Sequence, residues 1–166
     1  WSMFELTWAK NGTPLTLGSA LDDMDITDLT GLKFNTLLIH KIATGNAQID
    51  LTINNDGGSL YARRSSYNGA ADATGTAQAA LNIHNNKTTD DFFISYLCAI
   101  SGEEKLGIMF NVNGYTAGAG TAPERQEFVI KYAPASLTDT IDRIDLNNSD
   151  TGSFDTSSNI TVLGTD

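Results

Sequence analysis

The chain has 166 residues, enough for one domain that buries about two thirds of the surface its unfolded form exposes. Twenty acidic against ten basic residues give a net charge of −10, which repels polyanions and argues against nucleic acid as a partner. A single cysteine, Cys98, excludes an intrachain disulfide, and no apolar stretch approaches the ~20 residues that span a bilayer, so membrane insertion is not expected.

The opening WSMFELTWAK is neither a basic-apolar signal peptide nor a lipidation motif. Residue 1 is Trp rather than Met, which reads as a chain trimmed, processed or cut from something longer. Short apolar segments follow: FELTW (4–8), FNTLLIHKI (34–42), AQAALNI (77–83), FFISYL (92–97), KLGIMFNV (105–112), EFVIKY (127–132), IDRIDL (141–146) and NITVL (159–163). Turn-rich clusters such as KNGTP, NGAADATGT, NGYTAGAGTAP and NNSDTGS separate them. The spacing predicts about ten short strands in an all-β sandwich or barrel rather than βαβ units. Helical signals are confined to LDDMDITDL (21–29) and GTAQAALNI (75–83), neither longer than about three turns. In the first, the aspartates equally suit a solvated loop or a strand edge.

Residues 51–66, LTINNDGGSLYARRSS, contain the densest turn signal. Ile49, Leu51 and Ile53 alternate with Asp50, Thr52 and Asn54, as in a half-buried antiparallel strand. Asn55, Asp56, Gly57 and Gly58 then tolerate positive φ, and Leu60 and Tyr61 resume the run. The expectation is a structural hairpin built on Asn54, Asn55, Asp56, Gly57 and Tyr61.

No catalytic constellation is visible. His40, His84 and Cys98 lie too far apart in sequence to read as a zinc site, and Cys98, inside FFISYLCAI, reads as a small core residue. Asp22, Asp23, Asp25 and Asp28 cluster, and Asp139, Asp142, Asp145, Asp150 and Asp155 punctuate the last quarter. They lack the glycine and terminal glutamate spacing of an EF-hand loop and are expected to face water. There is no G-x-S-x-G elbow, GAGTAPER lacks the Lys-Ser or Lys-Thr of a phosphate loop, and Glu103 and Glu104 read as a charged turn. Neither a metal, a cofactor nor an enzymatic activity is expected.

Two stretches carry a resemblance. FNTLLIHKI…IDLTINNDGGSLYARRSS is similar to the strand, "L-x-x-N-x-D-x-G-x-x-Y" turn and strand of a β-sandwich domain that recurs in tail-fibre, tail-tip and other virion proteins of tailed phages. KYAPASLTDTIDRIDLNNSDTGSFDTSSNITVLGTD resembles that family's ending, with Ser157 standing where the family often has glycine. EKLGIMF and GAGTAPERQEFVIKY look similar too, so the resemblance spans most of residues 33–166. It implies a jelly-roll-like antiparallel sandwich on a virion surface, as a tail appendage or capsid decoration, assembled in the host cytoplasm beside other virion proteins. It implies no catalytic residue.

Homo-oligomers are common in that family, and a closed trimer follows by analogy. Edge strands need protection, and with three prolines (Pro14, Pro123, Pro134) and few lysines the chain is expected to bury its edges against a neighbour. Trp1, Phe4 and Trp8 would be aromatic anchors near such a contact. Tyr61, Tyr67, Tyr115 and Tyr132 fall near turns or strand ends, where a ring can stack on a sugar or bury at an interface. Tyr67 and Tyr115 are accordingly candidate ligand or interface residues, with a host-surface glycan as a ligand. The alternative function is a carbohydrate-binding module of a secreted protein or adhesin, on the same scaffold.

Overall fold

The computed structural model of the protein describes residues 7–83, 88–114 and 116–166. None of the described residues is helical. In chain order the strands are β1 (Ala9–Lys10), β2 (Leu15–Thr16), β3 (Asp23–Ile26), β4 (Phe34–Lys41), β5 (Ala43–Thr44), β6 (Ile49–Ile53), β7 (Tyr61–Tyr67) and β8 (Ala73–Gln78). They continue with β9 (Leu81–Asn82), β10 (Asp91–Cys98), β11 (Lys105–Asn113), β12 (Glu124–Tyr132), β13 (Ile144–Asn148), β14 (Ser153–Phe154) and β15 (Asn159–Thr165). Ten of these have four residues or more and the other five are two-residue pairings; eight of the ten fall in the expected segments, while β3 and most of β8 do not.

Every pairing is antiparallel. The large sheet runs β1-β15-β4-β10-β11-β12-β7-β8 with β2 beside β15, and the small sheet runs β3-β13-β6-β9. The chain passes repeatedly from one sheet to the other, giving a jelly-roll-like sandwich. Leu37, Ile39, Phe93, Met109 and Phe128 of the large sheet meet Met24, Ile26, Leu51, Ile53, Ile144 and Leu146 of the small one in a shared core. In β3, buried Met24 and Ile26 alternate with Asp23 and Asp25, so period two wins over the short helical stripe. The second helical candidate, residues 75–83, is likewise not helical: it holds the end of β8, a bend and β9.

Residues 54–60 are not a hairpin, contrary to the sequence expectation. β6 lies in the small sheet between β13 and β9, and β7 lies in the large sheet between β12 and β8. The turn formers therefore make an arch across the sandwich edge. A turn signal fixes a local change of direction, but the strand's next partner is decided by long-range pairing. Asn54 and Asn55 take φ of 58° and 52°, the left-handed conformation that asparagine tolerates.

Their side chains and those nearby stitch the arch to three other elements. Asn54 Oδ1 accepts from the amides of Asp142 (3.0 Å) and Arg143 (3.2 Å), while its Nδ2 donates to Thr140 O at 2.7 Å. The Asn55 amide donates to Asp145 Oδ2. Asp56 accepts from the Gly58 amide at one oxygen and from the Tyr132 hydroxyl at the other. Gly57 adds no contact within 4 Å of the Cβ it lacks, so it serves the turn by its backbone alone. The buried Tyr61 hydroxyl accepts from the Ile53 amide (2.9 Å) and lies 2.9 Å from the Asp56 carbonyl. Tyr61 and Tyr132 are thus core residues rather than rim aromatics.

Candidate interaction surface

The chemistry of this molecule that the core does not consume lies on the outer face of the large sheet. Strand alternation places Phe92, Ile94, Tyr96 and Cys98 of β10 outward, next to Leu106, Ile108, Phe110 and Val112 of β11. In register across the sheet, Tyr96 pairs with Ile108 and Ile108 with Val129, while Ile94 pairs with Phe110. Phe34 and Leu38 of β4 extend the patch on one side. Leu106 is 54 % exposed, Val129 52 %, Ile108 49 % and Phe110 45 %.

β11 is inverted relative to a half-buried strand. Its inward positions hold Lys105, Gly107, Met109, Asn111 and Asn113, whereas its outward positions are all large and apolar. The outer face is the more hydrophobic of the two. Strands that read as near-continuous apolar runs are those covered on both faces, and FFISYL fits that description with one face covered by the small sheet.

Trp8 stands at the edge of this patch, where it, Phe34, Tyr96, Leu106 and Ile108 line an open groove of about 410 Å³. Cys98 lies in the same groove, partly buried and outside the hydrophobic core cluster. The error has a clear physical cause: within a run apolar on both faces, hydrophobicity does not say which positions face in. Trp1, Phe4, Tyr115 and His84 lie outside the described residues. Of the three expected aromatic anchors Trp8 alone is described, and it is exposed at the edge of this patch; the sequence reading did not single out Phe34, Phe92, Leu106, Ile108, Phe110 and Val129 beside it. The signal that could have found them is the run of large apolar residues at alternate positions of two adjacent segments, Phe92, Ile94 and Tyr96 in one and Leu106, Ile108, Phe110 and Val112 in the other.

The rim of the patch is charged yet internally neutralised. Arg125 pairs with Glu127 at 3.3 Å, Lys131 with Glu104 at 3.3 Å and Arg64 with Asp72 at 3.1 Å. The acidic excess sits elsewhere. On the outer face of the small sheet, Asp25 is in register with Asp145, and Asn147 with both Asp23 and Asp50. Arg143 lies between Asp25 and Asp145, contacting both carboxylates. Burial, and then the neighbouring Asp145, push the Asp25 carboxyl above its usual range, with Arg143 opposing them. Asp145 itself is buried, contrary to the expectation that these aspartates face water. Among the described residues, no group of three or more His, Cys, Asp or Glu is placed to hold a metal ion.

Beneath the patch, on the inner face, one polar row crosses four strands: Lys41, Asp91, Asn113 and Glu124 are consecutive register partners. Lys41 Nζ meets Asp91 Oδ2 at 2.5 Å and donates to the Ala47 carbonyl at 3.1 Å, with both side chains fully buried. Burial pushes the Asp91 carboxyl up to about 6 against the opposing Lys41 charge, and lowers Lys41 against the opposing Asp91. This row is enclosed and serves the fold. Tyr67 lies apart from the patch, in a small polar cleft of about 170 Å³ with Arg63, Ser65, Asn82 and Gln126 over Phe128.

The chain matches no family model, no curated protein and no solved structure.

Proposed function

We propose that this chain is a non-enzymatic assembly module of a virion surface, working as a tail appendage or capsid decoration by packing and display. The observation that carries this reading is the apolar outer face of β10 and β11, which a freely soluble monomer has no use for. It joins the ordered motifs of residues 33–166 that resemble the phage sandwich domain. An antibody raised against the folded chain tests the reading by immunogold labelling of purified particles from the source culture. Label on tails or capsids is expected, and particles free of the protein would defeat the assignment.

A second reading, glycan binding, draws on the polar cleft at Tyr67. An aromatic ring beside a guanidinium and two amides is the mixture of stacking and hydrogen bonding that sugars require. Titration calorimetry with host-surface oligosaccharides checks it. Heat that disappears in Tyr67→Ala would favour this cleft as a receptor site.

A further inference from the structure

We infer that the outer face of the large sheet is closed by a second copy of this chain, packed face to face about a two-fold axis. This rests on the assembly reading above and names the partner. The resulting unit has four layers, with the two large sheets in the middle and the two small sheets outermost.

Three observations select this occupant. The first is area. Nine outward side chains, Trp8, Phe34, Phe92, Tyr96, Leu106, Ile108, Phe110, Val112 and Val129, are each about 40 to 55 % exposed, between 39 % and 54 %. Together they present about 800 Å², at roughly 100 Å² for a half-exposed large side chain, which equals the contribution of one partner to a standard-size stable interface. It also exceeds the roughly 300 to 600 Å² of the largest apolar patch on a typical monomer.

The second is charge. With a net charge of −10, two copies repel unless they meet through a neutral surface. The outer face is that surface, because Arg64, Arg125 and Lys131 at its rim are each paired within the chain. Asp23, Asp25 and Asp50 stand on the small sheet, on the opposite side of the sandwich, and end up far apart in the pair. An anionic membrane or a polyanion would call for a basic rim, which this face lacks.

The third is closure. A cyclic trimer needs two different complementary patches on each copy, whereas a two-fold contact uses one patch twice. The described surface offers one such apolar patch, so the geometry points to a dimer rather than to the trimer implied by analogy. Sheets packed in this way sit about 10 Å apart with interdigitating side chains. Ile108 and Phe110 are at the centre of the patch, where truncation is most costly.

Size exclusion with light scattering on the full chain, at micromolar concentration and above, is expected to give twice the 17.8 kDa chain mass. Ile108→Glu is expected to run as a monomer with an unchanged far-ultraviolet circular dichroism spectrum, and Asp23→Lys on the opposite sheet to remain dimeric. Cys98 provides a readout that needs no variant: its alkylation rate should rise about tenfold or more as the native protein is diluted and the face uncovered. A wild-type monomer, a trimer, a dimer indifferent to Ile108→Glu, or a Cys98 rate independent of concentration would each overturn the inference. A monomer that nevertheless labels purified particles would leave the assembly reading intact and assign the face to another virion protein. A dimer absent from particles would leave the self-contact intact and defeat the virion reading.

Discussion

The rings of Tyr61 and Tyr132 stack with centroids 4.9 Å apart and planes 18° from parallel, and both hydroxyls turn toward the same arch. Their bonding is unequal. The Tyr61 hydroxyl is the partner of the buried Ile53 amide, whereas the Tyr132 hydroxyl reaches only Asp56 Oδ2 at 3.2 Å. Tyr61→Phe should therefore strand a buried donor and cost about 2 kcal/mol, and Tyr132→Phe less than about 1 kcal/mol. Urea denaturation checks the order, and equal losses would refute the unequal roles.

Asn54 combines a left-handed backbone with three side-chain hydrogen bonds to residues 140–143. Two substitutions separate the contributions. Asn54→Gly keeps the backbone relaxed and loses the bonds, for about 1 to 3 kcal/mol. Asn54→Ala loses the bonds and adds about 1 kcal/mol of left-handed strain. Thermal midpoints should fall in the order wild type, glycine, alanine.

Ser157 sits at φ 74°, the left-handed conformation that glycine adopts most readily. Its amide donates to Leu17 O and its carbonyl accepts from Asn159, bonds that glycine would keep. Ser157→Gly should stabilise the protein by about 0.5 to 1 kcal/mol, the relief of strain exceeding the added entropy of the unfolded chain. A lower midpoint would mean that the hydroxyl makes a compensating contact.

The parts of the fold legible in the sequence were those carried by period two and by turn residues. The all-β class and eight of the ten longer strands follow from such local patterns, whereas β3 and most of β8 do not, because their segments read as short helical stripes or turns. The arch at 54–60 did not, because partner choice between sheets is a property of the whole topology. The interaction surface was hidden for a related reason. In KLGIMFNV the alternation is visible, but a strand whose polar positions point inward defeats the rule that apolar positions mark the core. Lys105 reconciles the inversion with the physics: its buried ammonium donates to the carbonyls of Ile100, Glu103 and Leu137, at 2.8 to 3.0 Å. Asp91 and Lys41 do the same at the other end by pairing with each other.

That pair sets a pH dependence whose sign can be worked out. The Asp91 carboxyl titrates near 6 in the folded protein, because burial penalises its charge, against about 4 when unfolded. Between those values the folded state binds the extra proton. Asp91 therefore contributes stability that is fully present below about pH 4 and is lost as pH rises through about 6, by about 3 kcal/mol in all. Asp91→Asn should remove this slope, so the stability difference between wild type and variant should change across that window and level off above it. Lys41→Met deletes the one cation that offsets the burial of the carboxylate, and should cost a further ~3 kcal/mol at pH 7. Acidification should restore most of that loss by protonating Asp91, and the double change Lys41→Met with Asp91→Asn should restore it at neutral pH. Urea midpoints from pH 4 to pH 8 for the four proteins decide it. A Lys41→Met protein equally weakened at every pH would show that lost packing, rather than an unneutralised carboxylate, is the cause.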